Sequence, residues 1–192
     1  IYAKKYFEHN NIKQPNRNRL LWRDNSVDGL KTGHTSEAGY CLVSSAKRRG
    51  MRLIAVVMGA SSDESRARES QKLLSYGFRY YDTKVVYTAG EILKTGAKVW
   101  YGAEEFLNLT IAEDVTLTVP RGSEKNLKAN ILVNDLIKAP VTAGQELGQL
   151  HVSLDGEALV DIPLVAEKSI PKAGIFSQLF DWIILLFTRL LS

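Results

Sequence analysis

Residues 85–166 contain short runs of β-branched, aromatic and other apolar residues, separated by Gly, Pro and Asp-Gly. The runs are Val85–Tyr87, Val99–Tyr101, Val115–Val119, Ile131–Val133, Leu150–Leu154 and Leu159–Val165. Strands this short are stable only when they pair in a sheet that covers a shared core, so the pattern predicts a sandwich-like all-β domain. The Asp155-Gly156 pair predicts a two-residue hairpin turn.

The sequence before residue 85 has a different pattern. Tyr40–Ala46 and Met51–Met58 are strand-like runs joined by the turn Lys47–Gly50, which predicts a β-hairpin. A helix is predicted to follow. Its N-cap is expected at Ser61, because Glu64 stands three residues later and completes a capping box.

The predicted helix ends near Tyr76, with Gly77 close to its C-terminus. Its core-facing stripe is expected to contain Ala67, Leu73, Leu74 and Phe78. The charged segment Arg66–Glu69 is expected to face solvent, and Asn10–Asn18 is expected to form a polar loop.

The stretch Val27–Thr35 combines a cation, hydroxyl groups and glycine in Lys31-Thr32-Gly33. Taken alone, three residues also fit a polar turn before a strand. Because a hairpin follows, we interpret the triplet as part of a strand that forms one wall of an active site. Lys31 would place a positive charge near a substrate carboxylate, and Thr32 can donate a hydrogen bond to it. Gly33 lacks a Cβ, which lets a substrate backbone lie against the strand.

The longer string Asp28–Thr35, preceded by Asn16–Trp22, resembles the D-alanyl-D-alanine carboxypeptidases. These are the low-molecular-mass penicillin-binding proteins of peptidase family S11, in which Lys-Thr-Gly is one of three signature motifs. The resemblance runs through the whole chain and implies an α+β fold. Residues 1–82 would be the C-terminal part of a serine penicillin-binding or β-lactamase-like catalytic domain, 83–169 a small all-β sandwich-like domain, and 170–192 an amphipathic membrane-anchor helix.

The resemblance also implies an activity, which is removal of the terminal D-alanine from peptidoglycan pentapeptides through an acyl-enzyme, with β-lactam antibiotics as further ligands. The implied catalytic residues are Lys31, Thr32, Gly33 and His34, whose backbone N–H would be one of two oxyanion-hole donors. The implied substrate-binding residues are Lys31, Thr32, Thr35 and Arg17. Without the family, Arg17 also fits a solvated loop arginine, and the His34 side chain a group that caps the site. No cofactor or metal is implied.

The other two signature motifs are missing. Ser-x-x-Lys occurs only at Ser44–Lys47 and Ser169–Lys172. The first lies at the end of a predicted strand and follows Lys-Thr-Gly, the reverse of the family order, and the second contains a proline. The chain has no Ser-x-Asn, no initiator methionine and no signal segment. We therefore expect the C-terminal part of a longer enzyme, with its nucleophile on residues not present here.

Two other functions are consistent with parts of the sequence. A β-lactamase would share Lys-Thr-Gly, but the predicted β domain and C-terminal helix argue against it. A non-catalytic protein that binds peptidoglycan or is tethered to a membrane remains open. The oligomeric state is not predicted.

Charge is distributed unevenly along a chain of ordinary globular composition, 45% hydrophobic and 24% charged. Residues 1–82 hold 15 Lys and Arg against 8 Asp and Glu, whereas residues 83–170 hold 8 against 12. A basic segment around the motif favours anionic substrates. The basic residues form no long run and no nucleic-acid motif, which argues against nucleic acid as a partner. Cys41 is the single cysteine, so no internal disulfide forms, and a buried position is expected.

The C-terminal segment from Ile175 has two faces on a helical wheel. Ser177, Gln178, Asp181, Thr188, Arg189 and Ser192 share one sector, where Leu185 is the only apolar residue. The pattern predicts a helix lying in a membrane interface, with Asp181 and Arg189 in water. The residues expected to enter the membrane are Phe176, Phe180, Trp182 and Phe187. The alternative is a helix docked on a domain of the protein. The resemblance implies that the helix holds the protein on the periplasmic face of the bacterial inner membrane.

Overall fold

The computed structural model describes residues 1–190, with side chains described as far as residue 187. Thr188, Arg189 and Ser192, assigned to the polar sector from sequence, therefore lie outside the described side chains. The chain forms two compact units. The first contains Ile1–Thr83 and Thr118–Arg121, and the second contains Lys84–Leu117 and the chain from Gly122 onward. The three-part division drawn from the sequence remains a prediction.

The first unit contains two sheets and two helices. Its elements are β1 (Tyr6–His9), β2 (Ile12–Pro15), α1 (Leu20–Arg23), β3 (Val27–Thr35), β4 (Gly39–Arg48), β5 (Met51–Ala60) and α2 (Asp63–Tyr80). Strands β3, β4 and β5 form an antiparallel sheet in sequence order, which confirms the predicted hairpin. The predicted polar loop at Asn10–Asn18 is wrong in part, because β2 pairs with β1 across a turn at Asn10 and Asn11. Both turn residues have positive φ.

Helix α2 covers one face of this sheet. Because side chains alternate along a strand, Leu42, Ala46 and Ala55 point to the same face. They are buried with Leu74 and Phe78 from the helix. These contacts confirm most of the predicted stripe.

Three details of α2 differ from the prediction. Leu73, expected in the core-facing stripe, is 50% exposed, whereas Arg66, expected in solvent, is 4% exposed. Gly77 lies inside the helix, where a Cβ would come 2.4 Å from Leu53 Cδ1. Gly77 therefore packs closely against Leu53, whose side chain would have to move to make room for a Cβ, and it does not mark the helix end.

The N-terminus of α2 also differs from the prediction. The N-cap is Ser62, whose hydroxyl oxygen accepts a hydrogen bond from the Ser65 N–H at 3.0 Å. Because the helix begins one residue later than expected, Glu64 cannot complete a capping box with Ser61. Its carboxylate instead pairs with Arg19 and Arg23.

The second unit is mostly β-structure. Its elements, with those that cross from the first unit, are β6 (Tyr81–Tyr87), β7 (Ile92–Trp100), β8 (Phe106–Thr110), β9 (Val115–Pro120), a 3-10 helix (Glu124–Asn126), β10 (Leu127–Val133), β11 (Ile137–Lys138), β12 (Glu146–Leu154), β13 (Glu157–Ala166) and α3 (Ile175–Leu190). Six of the strands form one sheet in the order β10-β12-β13-β8-β7-β11, and β6 pairs with β9. The predicted α+β class is confirmed. The short strands β8 and β11 were missed.

One apolar core supports the six-stranded sheet. Alternate residues of its strands are almost fully buried, among them Leu107, Leu109, Leu150, Val152 and Leu164. The predicted turn between β12 and β13 is confirmed at Asp155 and Gly156, where φ is +52° and +91°. This match follows from local chemistry, since aspartate and glycine tolerate that backbone region better than other residues.

The C-terminal segment forms the helix α3, as predicted. The Asp181 carboxylate accepts a hydrogen bond from the Tyr101 backbone N–H at 2.7 Å. Asp181 is half-buried, so it is bound to the protein as well as partly exposed to water. Within the described residues, no helix has the length and hydropathy needed to cross a bilayer.

The position of the α2 N-cap can be tested by comparing two adjacent serines. Ser62→Ala removes the acceptor for the Ser65 N–H and should lower the free energy of unfolding by about 1 kcal/mol. Ser61→Ala, at the position favoured from sequence, should change it by less than about 0.5 kcal/mol. Urea unfolding followed by circular dichroism measures both. A larger loss for Ser61→Ala would restore the original assignment.

Candidate active site

The Lys-Thr-Gly triplet lies in β3 at the edge of its sheet. On one side β3 pairs with β4, with Lys31 opposite Val43 and Gly33 opposite Cys41. No described strand pairs with its other side. Alternate backbone N–H and C=O groups along that side are therefore available to an extended ligand.

A groove of about 840 Å³ runs beside this triplet. Its lining comes from β1, β2, the segment between β2 and α1, α1, β3, β4 and α2. The lining residues are Tyr6, Pro15, Asn16, Arg17, Arg19, Trp22, Lys31, Thr32, Gly33, His34, Tyr40, Asp63 and Arg66. Five of the six residues predicted for catalysis and substrate binding thus meet in one groove. The sixth, Thr35, is not in the lining, and its hydroxyl accepts a hydrogen bond from the Ala38 N–H.

Two cations in the groove have no carboxylate partner among the described side chains. These are Lys31, whose Nζ donates to the Thr32 backbone oxygen at 2.8 Å, and the exposed Arg17. By contrast, Arg19 forms ion pairs with Asp63 and Glu64. The groove therefore has a net attraction for an anion, and Lys31 and Arg17 supply it.

Two acidic side chains nearby are paired with arginines. A hydrogen bond from Arg23 holds the pKa of the Glu64 carboxyl below its ordinary value, against the smaller opposing effect of desolvation. Asp63 lies between Arg19 and Arg66. These pairs join three arginines to two carboxylates, so they keep one positive charge, which adds to the charges of Lys31 and Arg17.

The segment that carries Arg17 is attached to β3 by a buried asparagine. Asn18 is 1% exposed and donates from Nδ2 to the Gly29 backbone oxygen at 2.9 Å. Its Oδ1 accepts from the Leu20 N–H at 3.1 Å. Sequence reasoning placed Asn18 in a polar loop and missed this role. No local pattern distinguishes an asparagine that bonds a distant strand from a solvated one.

Arg66 is the second residue that sequence reasoning missed. From α2 its Nη1 donates to the Gly33 oxygen at 3.0 Å and to the Cys41 oxygen at 3.4 Å. The guanidinium also pairs with Asp63 and lies 5.5 Å from the centre of the Tyr40 ring. Burial of this charge is tolerated because the guanidinium makes two hydrogen bonds to backbone oxygens, an ion pair and a contact with an aromatic face.

These bonds determine the direction of the His34 N–H. The Gly33 oxygen faces β4, since the same Arg66 nitrogen reaches both it and Cys41. The Gly33–His34 peptide is trans, so its N–H points the opposite way, toward the free edge of β3. The His34 ring packs on Tyr40, with 4.0 Å between ring centres.

Neither serine of the Ser-x-x-Lys matches is among the residues that line this groove. Ser44 is fully buried and its Oγ lies 3.4 Å from the Ala55 oxygen. Ser169 belongs to the other unit, where its Oγ accepts from the Ala143 N–H. Among the described residues no serine or cysteine lines the groove. Nor does this part of the chain bring three His, Cys, Asp or Glu side chains together as a metal site.

A second Lys-Thr-Gly, residues 94–96, shows how little the triplet alone specifies. It lies in β7 at an irregularity in the pairing with β8, and Gly96 has φ of +65°. This copy is exposed on a bulged strand and lines none of the grooves described for the chain. The surroundings of β3, rather than the triplet, make the first copy a candidate site.

Comparison with known proteins agrees with this geometry. A family model described as D-alanyl-D-alanine carboxypeptidase matches residues 1–62. Another, described as the C-terminal domain of penicillin-binding protein 5, matches residues 81–172. The chain belongs to the D-alanyl-D-alanine carboxypeptidase family. The resemblance inferred from Asp28–Thr35 is therefore confirmed.

Individual carboxypeptidases of the family are similar over almost the whole chain. The D-alanyl-D-alanine carboxypeptidases DacC and DacA of Escherichia coli (strain K12) are 41% and 43% identical over 189 and 190 residues. Each match covers 97% of this chain and 47% of the relative. The crystal structure of penicillin-binding protein 5 from Haemophilus influenzae superposes with a TM-score of 0.79 at 39% identity, covering 89% of this chain and 50% of that one. The chain thus spans about half the length of these carboxypeptidases.

Proposed function

We propose that these residues form the substrate-binding wall of a serine-type D-alanyl-D-alanine carboxypeptidase. The reaction is transfer of the peptidoglycan pentapeptide acyl group to a serine, with release of the terminal D-alanine, followed by hydrolysis. β-Lactam antibiotics would acylate the same serine. Since no serine in the described residues lines the groove, the nucleophile would be supplied from outside the described part of the chain.

The observation that carries this proposal is the free edge of β3 with its two unpaired cations. A peptide that ends in D-alanine, or a penicillin, presents a carboxylate to Lys31 and Arg17. The Thr32 hydroxyl can donate a further hydrogen bond to it. The peptide backbone would extend along β3, where Gly33 leaves room for it.

The outward direction of the His34 N–H supports its role as an oxyanion donor. A donor of this kind stabilises the negative charge that develops on the carbonyl oxygen, and its removal typically costs about 3 kcal/mol. Arg66 binds the oxygen of the same peptide group from the opposite side. It is therefore a positioning residue, which holds the plane of the Gly33–His34 peptide without touching substrate.

The role of Lys31 can be tested in the full-length protein. Lys31→Ala should slow acylation by a fluorescent penicillin and D-alanine release from a peptide ending in D-Ala-D-Ala, each by about tenfold to hundredfold, since both ligands lose a charged hydrogen bond. Lys47→Ala is the matched control, because Lys47 belongs to the rejected Ser44–Lys47 motif. It should leave both rates within about twofold. Unchanged acylation of Lys31→Ala would exclude the triplet from the mechanism.

The role of Arg66 predicts a different kinetic effect. Arg66→Lys keeps the charge but loses the fork that reaches Gly33, so the acylation rate constant should fall by about tenfold while penicillin still binds noncovalently with similar affinity. Arg68→Ala, on the exposed side of the same helix, should have no effect. Rapid-mixing kinetics over a range of penicillin concentrations separates the two constants. A change confined to noncovalent binding would contradict the positioning role.

We also propose that α3 binds this protein to the periplasmic face of the bacterial inner membrane, where its peptidoglycan substrate lies. Nine large apolar residues of the helix are exposed, namely Ile175, Phe176, Leu179, Phe180, Trp182, Ile183, Ile184, Leu186 and Phe187. A helix of 16 residues is about 24 Å long, shorter than the roughly 30 Å hydrocarbon core. It would lie in the interface and bind mainly by apolar burial.

Membrane binding can be tested with vesicles of phosphatidylethanolamine and phosphatidylglycerol. Phe176→Asp should weaken co-sedimentation by at least about tenfold, because it replaces an aromatic side chain that would be buried in the membrane by a charged one. Ser177→Asp adds the same charge on the polar side of the helix and should have a much smaller effect. Moderate salt should not release the wild-type protein. Equal loss in both variants would indicate an electrostatic effect without insertion.

A further inference from the structure

The backbone of Tyr101 binds the C-terminal segment at two points. Its N–H donates to the Asp181 carboxylate at 2.7 Å, and its carbonyl oxygen accepts from the Ala173 N–H at 2.8 Å. The first bond holds the middle of α3, and the second holds the residues just before the helix. We name Tyr101, Ala173 and Asp181 the tail clamp.

The segment before α3 is attached at further points. Ala103 N–H donates to the Pro171 oxygen at 2.9 Å, and Gly102 forms a β-bridge with Lys172. Gln178 Nε2 donates back to the Ala173 oxygen at 2.6 Å. Residues 171–173 are therefore paired with the chain at Tyr101–Ala103, instead of forming a free tether between the β-rich unit and the helix.

Tyr101 itself has φ of +60°, a region that non-glycine residues rarely adopt. A conformation of this kind is kept when surrounding contacts require it. Here it lets one residue direct its N–H and its carbonyl oxygen to two parts of the tail.

The clamp also explains why Leu185, an apolar residue, lies in the polar sector of α3. Leu185 is half-buried and lines a cleft of about 220 Å³ with Tyr101, Leu136, Lys138 and the helix residues Trp182 and Leu186. Gln178, Asp181 and Leu185 are spaced as one face of a helix. This mixed face, and not the wide apolar face, is turned to the β-rich unit.

The orientation has an electrostatic consequence. Asp181 is the only acidic residue in residues 168–192, and its charge is directed to the Tyr101 N–H. Lys138 and Lys172 are exposed, and neither forms an ion pair within the described residues. The outward side of α3 is thus apolar and has no carboxylate among the described residues, so no negative charge of the helix opposes an anionic lipid surface.

We propose that the tail clamp fixes the rotation of α3, so that the β-rich unit meets an anionic lipid surface in one orientation rather than on a flexible tether. This inference rests on the membrane binding proposed above. It assigns to Asp181 and Tyr101 a role in orienting the protein that is separate from the affinity supplied by the apolar face.

The clamp itself is tested without lipid, by amide hydrogen exchange. In Asp181→Ala the Tyr101 N–H loses its acceptor, so its exchange should become about tenfold faster, the size expected for a lost charged hydrogen bond. Asp181→Asn keeps an acceptor oxygen and should be intermediate. Ser177→Ala, a neutral change on an exposed residue of the same helix, should have no effect. Unchanged exchange in Asp181→Ala would overturn the clamp.

Its effect on orientation is tested by neutron reflectometry on supported bilayers of phosphatidylethanolamine and phosphatidylglycerol. Asp181→Ala should bind in the wild-type amount, within about twofold, because the apolar face is intact. Its protein layer should be broader along the membrane normal. An unchanged profile would refute the orienting role, whereas absence of wild-type binding would refute the membrane proposal and leave the exchange measurement to decide the clamp.

Discussion

The candidate site depends on one buried guanidinium. Arg66 binds the Gly33 and Cys41 oxygens from the face of the sheet that α2 covers, and Asp63 balances its charge. A buried arginine is costly unless all its contacts are polar or aromatic, so its position is tightly restricted. Because Arg66 binds the oxygen of the Gly33–His34 peptide, it also restricts the orientation of that peptide group. The N–H of His34 is then directed to the open edge of β3. Helix and strand determine the site jointly, and neither does so alone.

The sequence predicted the parts of the fold in which local chemistry decides. Asp155-Gly156 formed the expected turn because its residues tolerate positive φ. The runs of β-branched residues formed strands because alternate side chains in them can pack on the same core. Asn10-Asn11 carried a similar signal, but the polar residues around it led to a loop prediction, and β2 was missed. The predicted N-cap was wrong by one residue because the adjacent serines, Ser61 and Ser62, are equally able to cap a helix.

The candidate site was predictable only where family resemblance and local chemistry agreed. Lys31, Thr32 and Gly33 could be identified from the motif, and the structure gathers them with Arg17 and His34 in one groove. Asn18 and Arg66 could not, since both act on backbone oxygens that are distant in sequence. The second triplet, at residues 94–96, makes the same point: identical residues on a bulged strand line none of the described grooves. Long-range backbone bonds, which leave no local pattern, separate the two copies.

The C-terminal helix shows the same limit for amphipathic patterns. A helical wheel separates two faces, but it does not tell which face contacts the protein. In a helix packed on a domain core the apolar face is expected inside. In α3, the polar side turns inward through Asp181 and Gln178, because backbone groups at Tyr101 and Ala173 provide hydrogen-bond partners. Docking on the protein and exposure of the apolar face are then compatible, so the two interpretations of this segment are not exclusive. Leu185, the one apolar residue in the polar sector, packs toward the β-rich unit and leaves the wide apolar face of α3 exposed.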